Sequence, residues 1–130
     1  MSKTHRASVC LLLVANVMPA FALTYDDAAF NLPVFEKANS QAQFCERFGT
    51  GYLAKLKAWE NVTMPIRAKT IQTIRLKAKA EGLSDSDQDK VVSGALEMVK
   101  SKVATELPND TSACKNFDMY LAHYHSILKE

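Results

Sequence analysis

The final segment of the chain carries the apolar pattern that most restricts its fold. Four large apolar residues and a cysteine recur there at separations of three, four, three and four residues: Cys114, Phe117, Leu121, Tyr124 and Leu128. These separations follow the 3.6-residue turn of an α-helix, so all five side chains share one helix face. Similar spacing recurs along residues 34–107, whereas the apolar–polar alternation typical of strands is absent. The sequence therefore predicts an all-α fold, which we interpret as a small four-helix bundle, orthogonal or up-and-down.

Breaks in this pattern divide the preceding chain into three further helices. The first is expected to begin near Pro33 behind a cap at Asn31 and to reach Trp59. A turn over residues 61–65 precedes the second helix, which is capped by Thr63 and ends at 81–82. The third begins at Ser84 and ends by 107–110. The core-facing residues expected in these helices are Cys45, Phe48, Tyr52, Leu56 and Trp59 in the first, Ile66, Ile71, Ile74 and Ala78 in the second, and Val92, Ala95, Leu96, Val99 and Val103 in the third.

Residues 1–22 have the three parts of a secretory signal peptide in order. Lys3 and Arg6 precede an apolar run over residues 7–20, and a small-x-small site ends at Ala22, after which we expect cleavage. The run is interrupted and too short for a membrane anchor, which needs about 20 apolar residues, and no later stretch reaches that length. We therefore expect an exported protein, periplasmic or secreted, with a loosely ordered lead-in at 23–33 and a single helical domain at 34–130.

Two of the three cysteines, Cys45 and Cys114, remain after cleavage. An even number of cysteines in an exported chain indicates a disulfide, because those compartments are oxidising. The alternative, free thiols or a redox pair, lacks the adjacent spacing that redox motifs use. A bridge between these residues would join the first long helix to the last.

Charge is balanced overall but unevenly distributed. Without Lys3 and Arg6 the chain has 14 basic and 14 acidic residues. Between residues 53 and 80, however, seven basic residues accompany the single acid Glu60. These residues could form a surface for an acidic partner or anionic lipid, or an ordinary solvated surface, since those on the second helix are spread around it. Nucleic acid is not an expected partner, because an exported protein without a basic excess lacks the necessary charge. The candidate interaction surface consists of Lys55, Lys57, Arg67, Lys69, Arg75, Lys77 and Lys79.

Gly49 and Gly51 fall inside the predicted first helix, where each costs about 1 kcal/mol relative to alanine. Some compensation is therefore expected. Close approach of another backbone is one explanation, and a kink or small pocket at these glycines is the other.

No residue pattern indicates catalysis, a cofactor or a metal site. His123 and His125 are two residues apart, so on a helix they point about 200° away from each other and cannot hold one metal together. Asp85, Asp87 and Asp89 suit a helix start, where the macrodipole favours negative charge, better than an acid–base pair. We find no nucleophile motif or phosphate-binding glycine loop. The sequence predicts neither an enzyme nor a cofactor-binding protein.

The segments around the two cysteines resemble a known family. Residues 43–52, QFCERFGTGY, and residues 114–120, CKNFDMY, are similar to the cysteine-bearing first and last helices of small periplasmic immunity proteins that neutralise type VI secretion cell-wall amidases. The resemblance covers roughly these two helices. It implies a non-catalytic protein that binds and blocks a toxic enzyme, and it assigns the blocking role to no residue here.

The general outline is also similar to that of the periplasmic acid-stress chaperones, which are small helical proteins with one disulfide. The sequence hypothesis is therefore an exported protein-binding module, most concretely an inhibitor or immunity protein of a cell-wall hydrolase. A periplasmic stress chaperone and an accessory subunit of a periplasmic enzyme are the alternatives.

Overall fold

A computed structural model describes residues 22–107 and 111–130, and within these residues the chain forms five α-helices and no β-strand. The all-α prediction is confirmed, although the expected four helices are five. Most of the predicted signal peptide, residues 1–21, lies outside the described residues. The helices are α1 (Tyr25–Glu46), α2 (Tyr52–Ala80), α3 (Asp85–Glu106), α4 (Ser112–Lys115) and α5 (Phe117–Ile127).

Helix α1 begins eight residues earlier than the expected start near Pro33. Its start is fixed by a capping box, in which the Thr24 hydroxyl accepts a hydrogen bond from the Asp27 amide and the Asp27 carboxylate accepts one from the Thr24 amide. Residues 25–33, expected to be a loosely ordered lead-in, are therefore helical. Pro33 lies inside the helix, where it removes one backbone donor. Burial of Leu32 and Val34, the residues on either side of Pro33, offsets this cost.

The predicted continuous helix to Trp59 is wrong, because the chain turns over residues 47–51. Gly51 has a φ of 95°, in the left-handed region that glycine adopts without strain, and it immediately precedes α2. The Glu46 carboxylate accepts a hydrogen bond of 3.0 Å from the Leu53 amide across this turn. Phe48, expected in the core, is consequently 62% exposed.

Helix α2 passes straight through residues 61–65, where a turn was expected. Thr63 does not cap a helix; its hydroxyl donates to the Trp59 carbonyl at 3.0 Å. Pro65 lies on the exposed side of the helix, so its ring meets no neighbouring element. The predicted end is confirmed, since α2 stops at Ala80 and Gly82 follows with a φ of 86°.

The predicted bounds of the third helix are confirmed by α3, whose cap residue Ser84 accepts a hydrogen bond from the Asp87 amide.

The last predicted helix is divided at Asn116 into α4 and α5. Its core face is nevertheless confirmed, because all five residues of the stripe that runs from Cys114 to Leu128 are buried.

Helices α1 and α2 form the centre of the molecule. Helix α3 packs against both on one side, whereas α5 packs against both on the other, and α4 contacts α1. Within the described residues no Cα atom of α3 lies within 8 Å of α5. No described helix is both long and apolar enough to cross a membrane.

Two separate clusters of buried side chains result from this arrangement. The first, which we call the α5 core, contains Val34, Phe35, Ala38, Ala42, Leu56, Trp59, Ile66, Phe117, Leu121, Tyr124 and Leu128. The second, the α3 core, contains Leu23, Ala28, Leu32, Ile74 and Val92, with Ile71, Ala95, Leu96 and Val99 only partly buried against it.

A buried asparagine ties the end of the chain to the two central helices. Asn31, expected to cap a helix, is fully buried instead. Its side-chain amide donates to Thr70 Oγ1 at 3.1 Å and to the Lys129 carbonyl at 2.9 Å, and its Oδ1 accepts from the Lys129 amide at 2.8 Å. Every polar atom of this side chain is therefore satisfied, as burial requires.

Candidate interaction surface

The predicted disulfide is present between Cys45, near the end of α1, and Cys114 in α4. Their Cα atoms lie 5.5 Å apart and both side chains are buried. The bridge spans 69 residues. It anchors the turn after α1 to the start of the C-terminal helices, so this end of the molecule has a covalent constraint that the α3 side lacks.

Gly49 and Gly51 lie in the turn between α1 and α2. A Cβ atom on Gly49 would lie 3.3 Å from a ring carbon of Tyr52, closer than most side chains allow. At Gly51 the positive φ excludes most other residues, although the space around it is open. The expectation that both glycines lie inside the first helix is therefore wrong, and neither lines the two clefts described below.

The seven basic residues of the predicted surface differ in whether they pair with an acid. Three of them have acidic partners: Lys55 bonds Asp118 at 2.7 Å, Arg75 bonds Asp89, and Lys77 lies 3.4 Å from Glu81. The other four, Lys57, Arg67, Lys69 and Lys79, have no acidic partner within the described residues.

His123 and His125 are both exposed on α5. Within residues 22–107 and 111–130 no three His, Cys, Asp or Glu side chains are grouped so that they could hold a metal ion. Asp87 lies at the start of α3, where its backbone is capped by Ser84, and its carboxylate bonds Lys90 at 3.1 Å.

Tyr124 is the one described residue whose pKa is clearly shifted, and its role is in packing. Burial in the α5 core raises its pKa above the ordinary 10.0, and the nearby Tyr120 raises it further. The hydroxyl donates to Gln41 Oε1 at 3.0 Å. This buried hydrogen bond holds α5 to α1.

A cleft of about 390 Å³ opens where α1, α2 and α3 meet. Its floor is apolar and combines residues from both cores. Its rim carries Glu36 and Asn39 on one side and Lys57, Glu60 and Arg67 on the other. The apolar residues that line it are Leu32, Phe35, Trp59, Met64, Leu96 and Val99.

A second, shallower cleft continues along α1 from the first, and the two share Glu36 and Asn39. Its volume is about 570 Å³. Helix α3 supplies Lys100 and Ala104, and α1 supplies the other wall as far as Arg47. We call the two clefts together the α1 groove. It follows α1 from Leu32 to Arg47, a distance of about 22 Å at 1.5 Å per residue.

The residues of the α1 groove were only partly recognised in the sequence. Lys57 and Arg67 belonged to the predicted basic surface, and Leu96 and Val99 to a predicted core face. The α1 wall was missed because the buried stripe assigned to the first helix began only at Cys45. The sequence pattern that could have revealed this wall is a series of polar residues at i, i+3 and i+4 spacing beside the buried face of α1: Glu36, Asn39, Ser40, Gln43 and Arg47.

Searches against protein families, curated proteins and solved structures found no match to this chain.

Proposed function

We propose that the mature chain is an exported protein-binding module that inhibits a cell-wall hydrolase. The observation that carries this proposal is the α1 groove, an open channel whose first cleft has an apolar floor and whose rim is charged. Protein-binding surfaces combine such features, with aromatic, methionine and arginine side chains at their centre and polar residues around them. The groove holds Phe35, Met64 and Arg67, which are of these types.

The architecture around the groove supports the same proposal. The disulfide and the buried Asn31 contacts restrain the helices, so an occupant would meet a largely preformed surface and lose less entropy on binding. The predicted signal peptide would deliver the protein to the compartment of a cell-wall hydrolase. The likeness of the cysteine segments to amidase immunity proteins points to the same class of target.

The test is affinity capture followed by an activity assay. Residues 23–130, tagged at the exposed C-terminus, are incubated with extracts of the producing and neighbouring cells at pH 7 and pH 4. We expect one stoichiometric partner at pH 7 whose hydrolysis of purified peptidoglycan falls when one equivalent of the chain is added. Capture of a partner whose activity is unaffected would contradict inhibition and favour an accessory subunit.

A stress chaperone is the second candidate, favoured by the exposed apolar side chains. Phe48, Val62, Met98 and Met119 are each more than 60% exposed, and flexible methionines suit variable partners. A chaperone would capture many proteins, mainly at pH 4, whereas an inhibitor would retain one protein at pH 7. The same capture experiment therefore separates the two.

A further inference from the structure

We infer that the α1 groove binds an amphipathic helix of a partner protein that carries acidic residues at both ends. The inference rests on the proposed protein-binding function and adds to it the site and the chemistry of the partner segment. It follows from three properties of the groove: its length, its apolar floor and the unpaired charges on its rim.

The length suits about four turns of a helix. The groove follows α1 from Leu32 to Arg47, about 22 Å. Helix α3 forms its opposite wall through residues 96, 99, 100 and 104, which recur at helical spacing. A groove between two helices presents a continuous channel, and amphipathic helices occupy such channels with apolar residues at i, i+3, i+4 and i+7.

The apolar floor is concentrated in one half of the groove. Phe35 and Trp59 come from the α5 core, whereas Leu96 and Val99 pack only partly against the α3 core. These two α3 residues therefore leave apolar surface accessible to water, and a partner's side chains would cover it. Covering that surface is the main favourable term in such an association.

The rim provides the charge complementarity. Lys57 and Arg67 lie about 15 Å apart along the α2 wall of the first cleft, and Lys100 and Arg47 lie in the second cleft. None of the four has an acidic partner within the described residues. The Arg47 guanidinium is held over the Phe44 ring, 4.9 Å from its centroid, so this charge is already positioned.

The acids on the rim do not cancel these charges. Glu36, near the middle, accepts a hydrogen bond from Ser40 at 2.9 Å, and Glu60 lies on α2 between Lys57 and Arg67. The rim thus has four cations against two carboxylates, with two of the cations in each cleft. These cations would attract a bound helix that carries acidic residues at its ends, and they would repel a helix that carries basic residues there.

The chain contains its own reporter for the test, because its single tryptophan, Trp59, lines the apolar half of the groove. The probe is a side-chain-stapled helical peptide of about 15 residues without tryptophan, with a leucine stripe at i, i+3, i+4 and i+7 and glutamates at both ends. A second peptide is identical except for lysines at the ends. Trp59 fluorescence is titrated with each, using residues 23–130.

We expect a saturable one-site change with the acidic peptide and at least about tenfold weaker binding of the basic one. The double variant Arg67→Glu with Lys100→Glu should reverse this preference. Its matched control, Lys69→Glu with Lys79→Glu, reverses two unpaired charges outside the groove and should leave the preference unchanged. Circular dichroism and the melting temperature verify that both variants fold.

A second variant tests the groove without changing charge. Ala104 is exposed on the α3 wall, so Ala104→Phe should narrow the groove without disturbing the core and should weaken the acidic peptide about tenfold or more. Ala68→Phe is the control, because Ala68 is exposed on α2 and does not line the groove. The inference would be overturned if the acidic peptide gave no saturable change in Trp59 fluorescence, or if both peptides bound with equal affinity. It would also be overturned if the control variants weakened binding as much as the groove variants do.

Other occupants give distinct results. Self-association of the chain that Ala104→Phe abolishes in sedimentation experiments would assign the groove to a second copy and overturn the inference. If a captured hydrolase is bound and inhibited equally by the wild type, by Ala104→Phe and by the charge-reversed variant, the proposed function stands and the groove inference fails. If the acidic peptide binds as described but no protein partner is captured, the groove inference stands and the proposed function fails.

Discussion

The α5 core and the α3 core are built from different side chains, although α1 and α2 contribute to both. The α5 core contains tilted and edge-to-face rings, with Phe35 5.7 Å from Trp59 and Tyr52 5.4 Å from Phe117 between ring centroids. The Trp59 indole also donates to the Leu121 carbonyl at 2.9 Å. The α3 core is aliphatic, and several of its members remain partly exposed.

The covalent restraint follows the same division. The disulfide lies beside the α5 core, whereas α3 is joined to α2 by the exposed ion pair between Arg75 and Asp89, a type of contact that contributes little. The comparison indicates that the α5 side provides most of the stability. It also explains the position of the groove, which opens where α3 leaves apolar surface uncovered.

The largest effect should come from removing the disulfide. Cys45→Ser, Cys114→Ser and the double variant should each lower the free energy of unfolding by about 4 kcal/mol, the value the chain-entropy model gives for a loop of this length. Because either single variant already breaks the bridge, the double variant should add little. Urea unfolding under oxidising conditions measures these values, and reduction of the wild type is the control. Additive losses would show that the bridge is not the common cause.

A matched pair of leucines compares the two cores directly. Leu121 in the α5 core and Leu32 in the α3 core are 6% and 5% exposed, so their burial is nearly equal. Leu121→Ala should cost about 3.5 kcal/mol and Leu32→Ala about 2.5 kcal/mol. The difference is expected because rigid rings surround Leu121, whereas Leu32 borders an open cleft in which the neighbours can relax. Equal losses in urea unfolding would mean that the two cores are equally well packed.

The Asn31 side chain connects the two sides, and its removal should have a smaller effect. Asn31→Ala leaves the Lys129 amide and carbonyl without their partner, which should cost about 2 kcal/mol, while Thr70 keeps its bond to the Ile66 carbonyl at 2.9 Å. Asn39→Ala, on the same helix but at the groove rim, should stay within about 0.5 kcal/mol. Amide hydrogen exchange should show faster opening of α5 in the first variant. Unchanged exchange there would contradict the connecting role.

The fold was predictable from the sequence where side chains repeat at helical spacing. The stripe from Cys114 to Leu128, the cap at Ser84 and the end of α2 near Gly82 were all recognised. The prediction failed where local signals conflicted with packing. Pro33 and Pro65 indicated helix starts, but both lie in helix interiors because burial on the other helix faces outweighs one lost hydrogen bond.

The candidate site was less predictable than the fold, because it depends on how far α3 diverges from α2. Periodicity assigned Leu96 and Val99 to a core face, but it could not show that this face is only partly covered. The spread of basic residues on α2 was visible, yet which of them have acidic partners depends on helices distant in sequence. Lys55 and Asp118, for example, are 63 residues apart.

The smallest expected effect is a pH dependence located in the α5 core. Because burial raises the pKa of Tyr124 above 10.0, the folded state holds this proton at pH values where the unfolded state has begun to release it. Stability from this residue is therefore fully present below pH 10 and is lost as the pH rises through the raised pKa. No comparable group is present in the α3 core, so the loss should come from the α5 side alone.

Tyr124→Phe isolates this contribution, since it removes the titrating hydroxyl but keeps the ring. The variant should be less stable near neutral pH, because Gln41 loses its bond, but its stability should fall less steeply between about pH 9.5 and 11 than that of the wild type. The slopes of unfolding free energy against pH can differ between the two proteins by at most the effect of one proton, about 1.4 kcal/mol per pH unit. Tyr25→Phe, which removes a tyrosine hydroxyl at an exposed position, is the matched control variant, and its slope is compared with that of the wild type. If Tyr124→Phe keeps the wild-type slope, the loss of stability at alkaline pH arises outside the α5 core. The contrast between the two cores would then not extend to the pH dependence of stability.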